Sequence, residues 1–516
     1  MKAQLTGSPK GFITLEILIA FAVVILSISA VIMVTFGNQS VAVDSQVNLE
    51  AISKAQALLE KARADSRLDF NLVNSSVATE MSGPLMFTKT LDVIQADLFT
   101  KKVTSIIAWQ IVGKTFSTTL ATILTNPEAA SGGDTCSSVL TGDWKNPQIE
   151  RIIDFSSISP IGTYTLTDVD AYKNKLYVTS GKTTNTDDPT LFVFDTSDTS
   201  NPTLLGEVDN APAVISGLNA VRVSEDLATS KIYAYTASNT SSDYTSCDPV
   251  ANPACGQLYI FDVTNPSSPT FSVNLKIASS PPITSQNTGT SIFYKNGYVF
   301  LGLGANASGP EFHIIDMRNP ASLFGGSHLV SPLGSFEVGN GVNVLLSRDS
   351  YAYIASPNTQ ELQILDISNL NNPIFAGSFN SPNGAGNGKS IYLVGDKLYL
   401  GKTTGASFDF HILDNTNSAV ALPEFGGRDI SSSVNGVTVK NFLSFLLTGT
   451  PGTGAQLQIF KTDDPLNITP WNPSPFIISP AGNATEPSMD CEGNRLYISS
   501  NDSAGQGSIY IIKPGP

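Results

Sequence analysis

Charge is scarce in this chain of 516 residues: Asp, Glu, Lys and Arg together make up 14% of it. What charge there is leans acidic, with 44 Asp and Glu against 29 Lys and Arg, for a formal net charge of -15. Such a surface repels polyphosphate and offers no basic stripe for counterion release, which excludes nucleic acid as a partner. Histidine is rarer still, at three residues, and cysteine stops at four. No CxxC pair and no His at metal-ligand spacing occurs, so neither a zinc site nor a thioredoxin-like centre is supported. P-loop, dinucleotide fingerprint and nucleophile elbow are absent as well, so no cofactor, metal or catalytic residue is expected. Turn formers fill the space instead: 41 Gly and 30 Pro, with much Ser, Thr and Asn. That mixture is typical of extracellular β-rich proteins, and the length allows about three domains.

One stretch breaks the pattern. From Ile17 to Phe36 run twenty residues without a charge, enough at about 1.5 Å per residue to span a ~30 Å hydrocarbon layer. A secretory signal peptide would have a shorter apolar core of about 7 to 15 residues. Beyond Gly37 the apolar positions Val43, Val47, Ile52, Ala55, Leu59 and Ala62 continue at mostly helical steps, so one helix is expected over 12–66, membrane-spanning over about 12–36. Lys2 and Lys10 precede the run and no basic residue follows before Lys54, which puts the N-terminus in the cytoplasm and exports the rest. The expected location is a single pass through the inner membrane, with the remainder periplasmic or extracellular.

The residues "KGFITLE", Lys10 to Glu16, resemble the processing site of type IV prepilins. The resemblance implies a leader over 1–11, with Lys10 as its basic residue, cleavage between Gly11 and Phe12 by a prepilin peptidase/N-methyltransferase, and methylation of the Phe12 amine. It also implies that Glu16, the fifth mature residue, serves assembly with other pilin or pseudopilin subunits. An unpaired carboxylate at membrane depth costs several kcal/mol, and the new α-amine of a neighbouring subunit would offset it. Ile13 ahead of Thr14, and the lack of proline between Phe12 and Leu68, point to a minor or pilin-like subunit rather than a bulk fibre subunit.

Residues 85 to 125 contain three runs rich in β-branched and aromatic residues, with a Gly-Lys turn between the last two, which predicts an antiparallel meander. A pilin-like headgroup is expected over 67–127, and the small polar residues of 128–143 read as a linker.

Repetition organises the rest. "LFVFD", "LYIFD", "FHIID", "LQILD", "FHILD", "LQIFK" and "IYIIK" end at Asp195, Asp262, Asp316, Asp366, Asp414, Lys461 and Lys513, 47 to 67 residues apart. A hairpin with a polar turn, such as "SIYLVGDKLYLG", precedes most copies, giving about four short strands per repeat. That is the signature of a β-propeller, here with seven blades over 144–516. The copies resemble the LVIVD-repeat family. The last repeat stops almost directly after its third strand, so Pro147 to Ser156 is expected to supply the missing outer strand and close the ring. Cys136 lies just before that segment and Cys491 in the last repeat, so a disulfide across the closure is expected; Cys247 and Cys255 flank a short Pro-containing loop and form a second candidate pair.

The fold class expected is therefore multidomain: a long transmembrane pilin helix with a small antiparallel sheet, then an all-β seven-bladed propeller. Asp at the strand ends reads as a turn residue that accepts backbone N–H groups two positions on. His313 and His411 read as strand surface residues. Asp168, Asp170, Asn343 and Glu486 fall on the innermost strands or the channel rim, and form the candidate ligand site. Function is expected to be adhesion or binding of an extracellular glycan or protein, displayed on a pilus or pseudopilus; a glycan-active enzyme and a structural tip or priming subunit are the alternatives.

Overall fold

The computed structural model describes residues 12–68, 73–97, 100–111, 113–125, 135–136, 140–158, 163–181, 188–209, 217–226, 229–238, 256–278, 288–305, 309–326, 328–358, 360–382, 386–405, 407–416, 422–449, 454–479 and 487–516; within the first of these, side chains are described over 18–31, at 33 and over 46–66. The chain divides into two units, Met1–Asn126 and Pro127–Pro516.

In the first unit one helix, α1, runs from Phe12 to Leu68. Its later part is amphipathic: Val47, Ala51, Ala55, Leu59 and Ala62 are buried at steps of three and four, which stacks them on one face. The alanines keep that face narrow, so the sheet can approach closely. Four strands form the sheet in sequential order: β1 (Ser76–Ser82), β2 (Leu85–Asp97), β3 (Thr100–Ile111) and β4 (Lys114–Thr125). Phe87, Ile107 and Trp109 pack on Val47, Ala51 and Ala55, while Leu91, Val103 and Leu124 pack on Leu59 and Ala62. Lys54 bridges Glu50 of its own helix and Glu80 of β1, and Lys89 holds the other oxygen of Glu80. The sequence predicts three of these strands; β1, "SVATEMS", is short, mostly exposed and without an apolar alternation to mark it.

The membrane-spanning part of the expected fold class is corrected. Among the described residues no helix is long and apolar enough to cross a membrane. The described side chains from Leu18 to Val31 are apolar apart from Ser27 and Ser29. Those side chains are largely open to solvent, with Leu18 69%, Phe21 66% and Leu26 70% exposed.

The second unit contains seven sheets among the described residues. Their innermost strands are Thr165–Ala171, Leu218–Asp226, Gly289–Lys295, Val344–Arg348, Gly388–Val394, Val434–Lys440 and Ser488–Gly493, here numbered as blades 1 to 7. Hydrogen bonds link each inner strand to the next. Val221 N donates to Asp168, Asn219 Nδ2 to Gly289 O, Leu345 N to Ser291 Oγ and Asn343 Nδ2 to Gly388 O. Ser390 Oγ then donates to Val434 O, Lys440 Nζ to Gly493 O, and Ala171 N to Asp490, which completes the circle. The third strands explain the sequence repeat. Each is sandwiched between neighbouring blades, so Leu191, Phe192, Val193 and Phe194 of blade 1 are all buried and both faces must be apolar.

The last blade takes its outer strand from the start of the unit. Asp143–Asp154 pairs antiparallel with Gly507–Gly515, with Ile153 opposite Ile509 and Ile149 opposite Ile512. Just before it, Thr135–Cys136 runs parallel to the end of the inner strand of blade 7, and Cys136 is disulfide-bonded to Cys491 with their Cα atoms 5.1 Å apart.

Candidate recognition face

Strand alternation gives the propeller two unlike faces. On one lie the turns between first and second strands, as short as two residues: Asn296-Gly297, Asp349-Ser350, Gly395-Asp396 and Asn441-Phe442. Asn296 and Gly297 both take left-handed backbone, φ 51° and 82°, the conformation a tight hairpin turn needs. The same face carries the turns after the third strands. There Asp195, Asp262, Asp316, Asp366 and Asp414 each accept the backbone N–H two residues on, from Ser197, Thr264, Arg318, Ser368 and Thr416, at 2.8 to 3.1 Å. These carboxylates are turn residues. Toward the opposite face run the second-to-third-strand and blade-to-blade connections, which cover more residues; in blade 2, residues 239–257 separate the second strand from the third. Loops of unequal length on a rigid ring are where binding surfaces are built.

Three carboxylates and one guanidinium gather where blades 7, 1 and 2 meet. Asp168 Oδ2 accepts Val221 N at 3.0 Å and faces Arg222 Nη1 at 3.3 Å, while its Oδ1 accepts Ser488 Oγ at 2.6 Å. Asp170 Oδ2 accepts Val223 N at 2.6 Å and lies 3.6 Å from Arg222. Asp490 Oδ2 accepts Ala171 N at 2.6 Å. Each carboxylate thus caps an inner-strand N–H of the next blade, a role that Ser291 fills between blades 3 and 4. One arginine does not balance three carboxylates. Burial, only partly offset by Arg222, pushes Asp170 well up, and burial with the Asp168 charge pushes Asp490 up to about 6. A folded-state pKa above the unfolded one means that protonation favours the native state. The resulting stability is full below about pH 4 and is lost as pH rises through about 6. Asp490→Asn, which keeps an oxygen for Ala171 N, should therefore raise the melting temperature at pH 7.5 by roughly 2–4 °C, the equivalent of about 1 kcal/mol. It should also flatten the slope between pH 4 and 6. Scanning calorimetry across that range checks both; an unchanged slope would remove Asp490 from the account.

Of the residues expected at the channel, Asp168 and Asp170 do come together. Asn343 does not join them: its Nδ2 donates to Gly388 O at 2.6 Å between blades 4 and 5. Glu486, Cys247, Cys255, Lys10 and Gly11 lie outside the described residues, as do the side chains of Phe12 and Glu16. His313 and His411 are not surface residues but fully buried in their third strands. His313 Nδ1 meets Ser335 Oγ at 2.8 Å, and burial pushes its pKa down to about 4. His411 is held between Glu424 Oε1 at 2.7 Å and Phe408 O at 2.9 Å. The sheets are covered on both sides, so a third-strand position has no surface to occupy.

A further set of polar residues went unread in the sequence. Directly before the third strands of blades 2, 3, 4 and 5 stand Gln257, Glu311, Glu361 and Asp409, all buried. Each accepts backbone N–H groups from the segment in or just after the outer strand of its own blade: Ile277 for Gln257, Val338 and Gly339 for Glu311, Ser381 for Glu361, Ile430 for Asp409. The signal was the recurrence of an acceptor one residue ahead of each apolar strand, in "GQLYIFD", "PEFHIID", "QELQILD" and "FDFHILD".

The LVIVD repeat model matches residues 254–276 and 339–381, the third and outer strands of blade 2 and the whole of blade 4. The chain thus carries LVIVD repeats within a β-propeller-like domain. No curated protein matches the chain. Among solved structures it is similar to a chain of the mitotic checkpoint complex, with 14% identity over 73% of this chain and 98% of that one at a TM-score of 0.48. It is also similar to a DUF4623 family protein from Bacteroides eggerthii, with 14% identity, 85% and 86% coverage and a TM-score of 0.37. A third is the dihydro-heme d1 dehydrogenase NirN, with 11% identity, 78% and 67% coverage and a TM-score of 0.37. These scores carry no statement about function.

Proposed function

We propose that the chain is a pilin-like filament subunit that presents its LVIVD-repeat propeller outside the cytoplasm as a recognition module for a glycan or protein ligand. The observation that carries this reading is the division of α1. A prepilin cut after Gly11 would free Phe12, the first described residue of the helix. Its later half is buried on the four-stranded sheet, while Leu18 to Val31 leaves apolar side chains uncovered around the whole cylinder. An apolar helical surface of that size needs a cover, and the corresponding helices of neighbouring subunits supply one of matching chemistry. A prepilin peptidase/N-methyltransferase and other pilin or pseudopilin subunits are then the partners. Replacing Gly11 with a bulky residue should leave a full-length precursor that retains residues 1–11 and joins no filament. Intact-mass measurement checks this, and mature protein of normal mass would sink the prepilin reading.

Recognition is favoured over catalysis by the occupation of the carboxylates. A glycan-active enzyme needs a free acid and a free base near one bond, but Asp168, Asp170 and Asp490 each accept a backbone N–H of the adjacent strand at 2.6 to 3.0 Å. A glycan and surface-protein binding screen with the full chain tests the reading. Turnover of any glycan in that screen would favour the enzyme instead.

A further inference from the structure

The sheet of the first unit ends on two unlike edges. β1 is seven residues long and carries the charge of Glu80, held by Lys54 and Lys89. Short length and a charged residue are two of the devices that keep an edge from pairing with another chain. β4 has neither. Its twelve residues pair with β3 without a shift of register, from Ile111 opposite Lys114 to Thr100 opposite Thr125. After Lys114 it contains no charge and no proline. It is the last strand of its sheet, so among the described residues its outer backbone groups meet no partner. A long, regular, uncharged edge is a template for one more strand.

A pocket opens beside the start of this edge. It encloses about 290 Å³ and is lined by Asn48 of α1, Trp109 of β3, and Phe116 and Ser117 of β4. Residues 116 and 117 point to opposite sides of their strand, so a pocket that both of them line sits at the open edge rather than behind the sheet. Phe116 is 39% exposed and stacks on the buried Trp109, with ring centroids 5.9 Å apart and planes 17° from parallel. Phe87 packs on Trp109 in turn, also at 5.9 Å, so the aromatic wall is backed by the core. Asn48 Oδ1 accepts Thr118 Oγ1 at 2.8 Å, which leaves the amide NH2 group as a donor. An aromatic wall beside an amide donor suits a tyrosine side chain, whose ring stacks and whose hydroxyl accepts.

We propose that β4 and this pocket bind an extended peptide with an uncharged middle and acidic ends, which adds as a fifth strand at the sheet edge and seats a tyrosine against Phe116. In strand addition the backbone hydrogen bonds supply affinity and the side-chain pocket supplies selectivity. Charge selects the ends of the partner. Lys114 opens β4, and Lys102 stands beside its far end, opposite Ile123; both are exposed. Acidic residues at the two ends of the peptide answer these lysines, as opposite charges do across strands. A second copy of this chain is disfavoured by the same charges, because antiparallel pairing of β4 with itself brings Lys114 of each copy toward Lys102 of the other. The inference concerns the first unit alone and holds whether or not the propeller binds a ligand.

The probe is a fluorescein-labelled dodecapeptide of alternating threonine and valine, with two aspartates at each end and a tyrosine next to each acidic pair, titrated with the full chain and read by fluorescence anisotropy. Saturable binding is expected. Alanine in place of the tyrosines, or Phe116→Ala in the protein, should weaken it about tenfold, the loss of one stacked aromatic contact. Lysines in place of the aspartates should weaken it by a similar factor at low salt, and the difference should shrink at high salt. Because a strand bonds to its neighbour through one edge only, N-methylation of one alternate set of peptide amides should abolish binding while the other set is tolerated. The peptide changes leave the protein intact, so they decide the matter even if Phe116→Ala unfolds the first unit. No saturable binding at millimolar peptide, or equal binding by the two methylated peptides, would overturn the proposal. A doubled mass in light scattering that Thr119→Lys abolishes would place a second copy on the edge and overturn it as well.

Discussion

A chain shortened to begin at Thr163 should melt far below one that begins at Gly132 and should aggregate on concentration. The shortening removes Asp143–Asp154, the strand that covers Gly507–Gly515 along the edge of blade 7, and with it Cys136, the partner of Cys491. It also removes Trp144, buried against Phe445 with ring centroids 4.8 Å apart, and Phe155, which packs on Tyr164 and Phe192. Two buried aromatics alone are worth about 3–5 kcal/mol each when truncated, and the disulfide adds about 2–4. Against a total of about 5–15 kcal/mol for a domain, the loss is of the same order as the whole stability. The exposed edge would be apolar, with Ile509, Ile511 and Ile512 no longer covered, and an open apolar edge invites pairing with another chain. Cys136→Ser should be much milder, because the strand pairing survives it. Thermal melts and light scattering of the three chains decide the matter. If the two truncations melt together, the ring does not depend on this strand.

How much of this was legible in the sequence follows from what each element touches. Third strands are sandwiched between blades, so both faces must be apolar and the pattern "LFVFD" repeats almost unchanged. The closing strand was legible because the last copy ends too soon. Strand β1 was not: it sits on the exposed edge of its sheet, where little selects for apolar alternation. The inter-blade role of Asp168 and Asp170 was illegible for another reason. Their partners Val221 and Val223 lie 53 residues away and contribute only backbone N–H groups, which no side-chain pattern records. Glu311 and Glu361 were hidden in plain view, as acidic letters beside apolar strands that resemble ordinary strand ends. The burial of His313 and His411 was misjudged because a half-polar side chain in an alternating strand reads as outward-facing, whereas these sheets have no outward face.

Replacing Lys402 with Met should cost about 3–5 kcal/mol, the penalty for breaking a buried ion pair from one side. Lys402 ends the second strand of blade 5, and neither it nor Glu361 of blade 4 is more than 1% exposed. Its Nζ donates to Ser381 Oγ and Ser407 Oγ, both at 2.7 Å, and lies 3.6 Å from Glu361 Oε1. Glu361 in turn accepts Ser381 Oγ at 2.6 Å and Ser381 N at 3.0 Å, so the four groups form one closed network between two blades. The stem is equally confined: a Cβ on Gly386 would lie 2.6 Å from Lys402 Cε. Methionine fills nearly the same volume, so the change isolates the charge from the packing. Without the ammonium, the buried Glu361 keeps only Ser381 as its partner in this network. The double variant Lys402→Met/Glu361→Gln removes both charges and keeps an oxygen for Ser381 N, so it should recover most of the loss. Melting temperatures should fall by on the order of 5–10 °C in the single variant. If the single and double variants melt alike, the loss comes from packing around the lysine stem, and the charge pair between blades 4 and 5 contributes nothing.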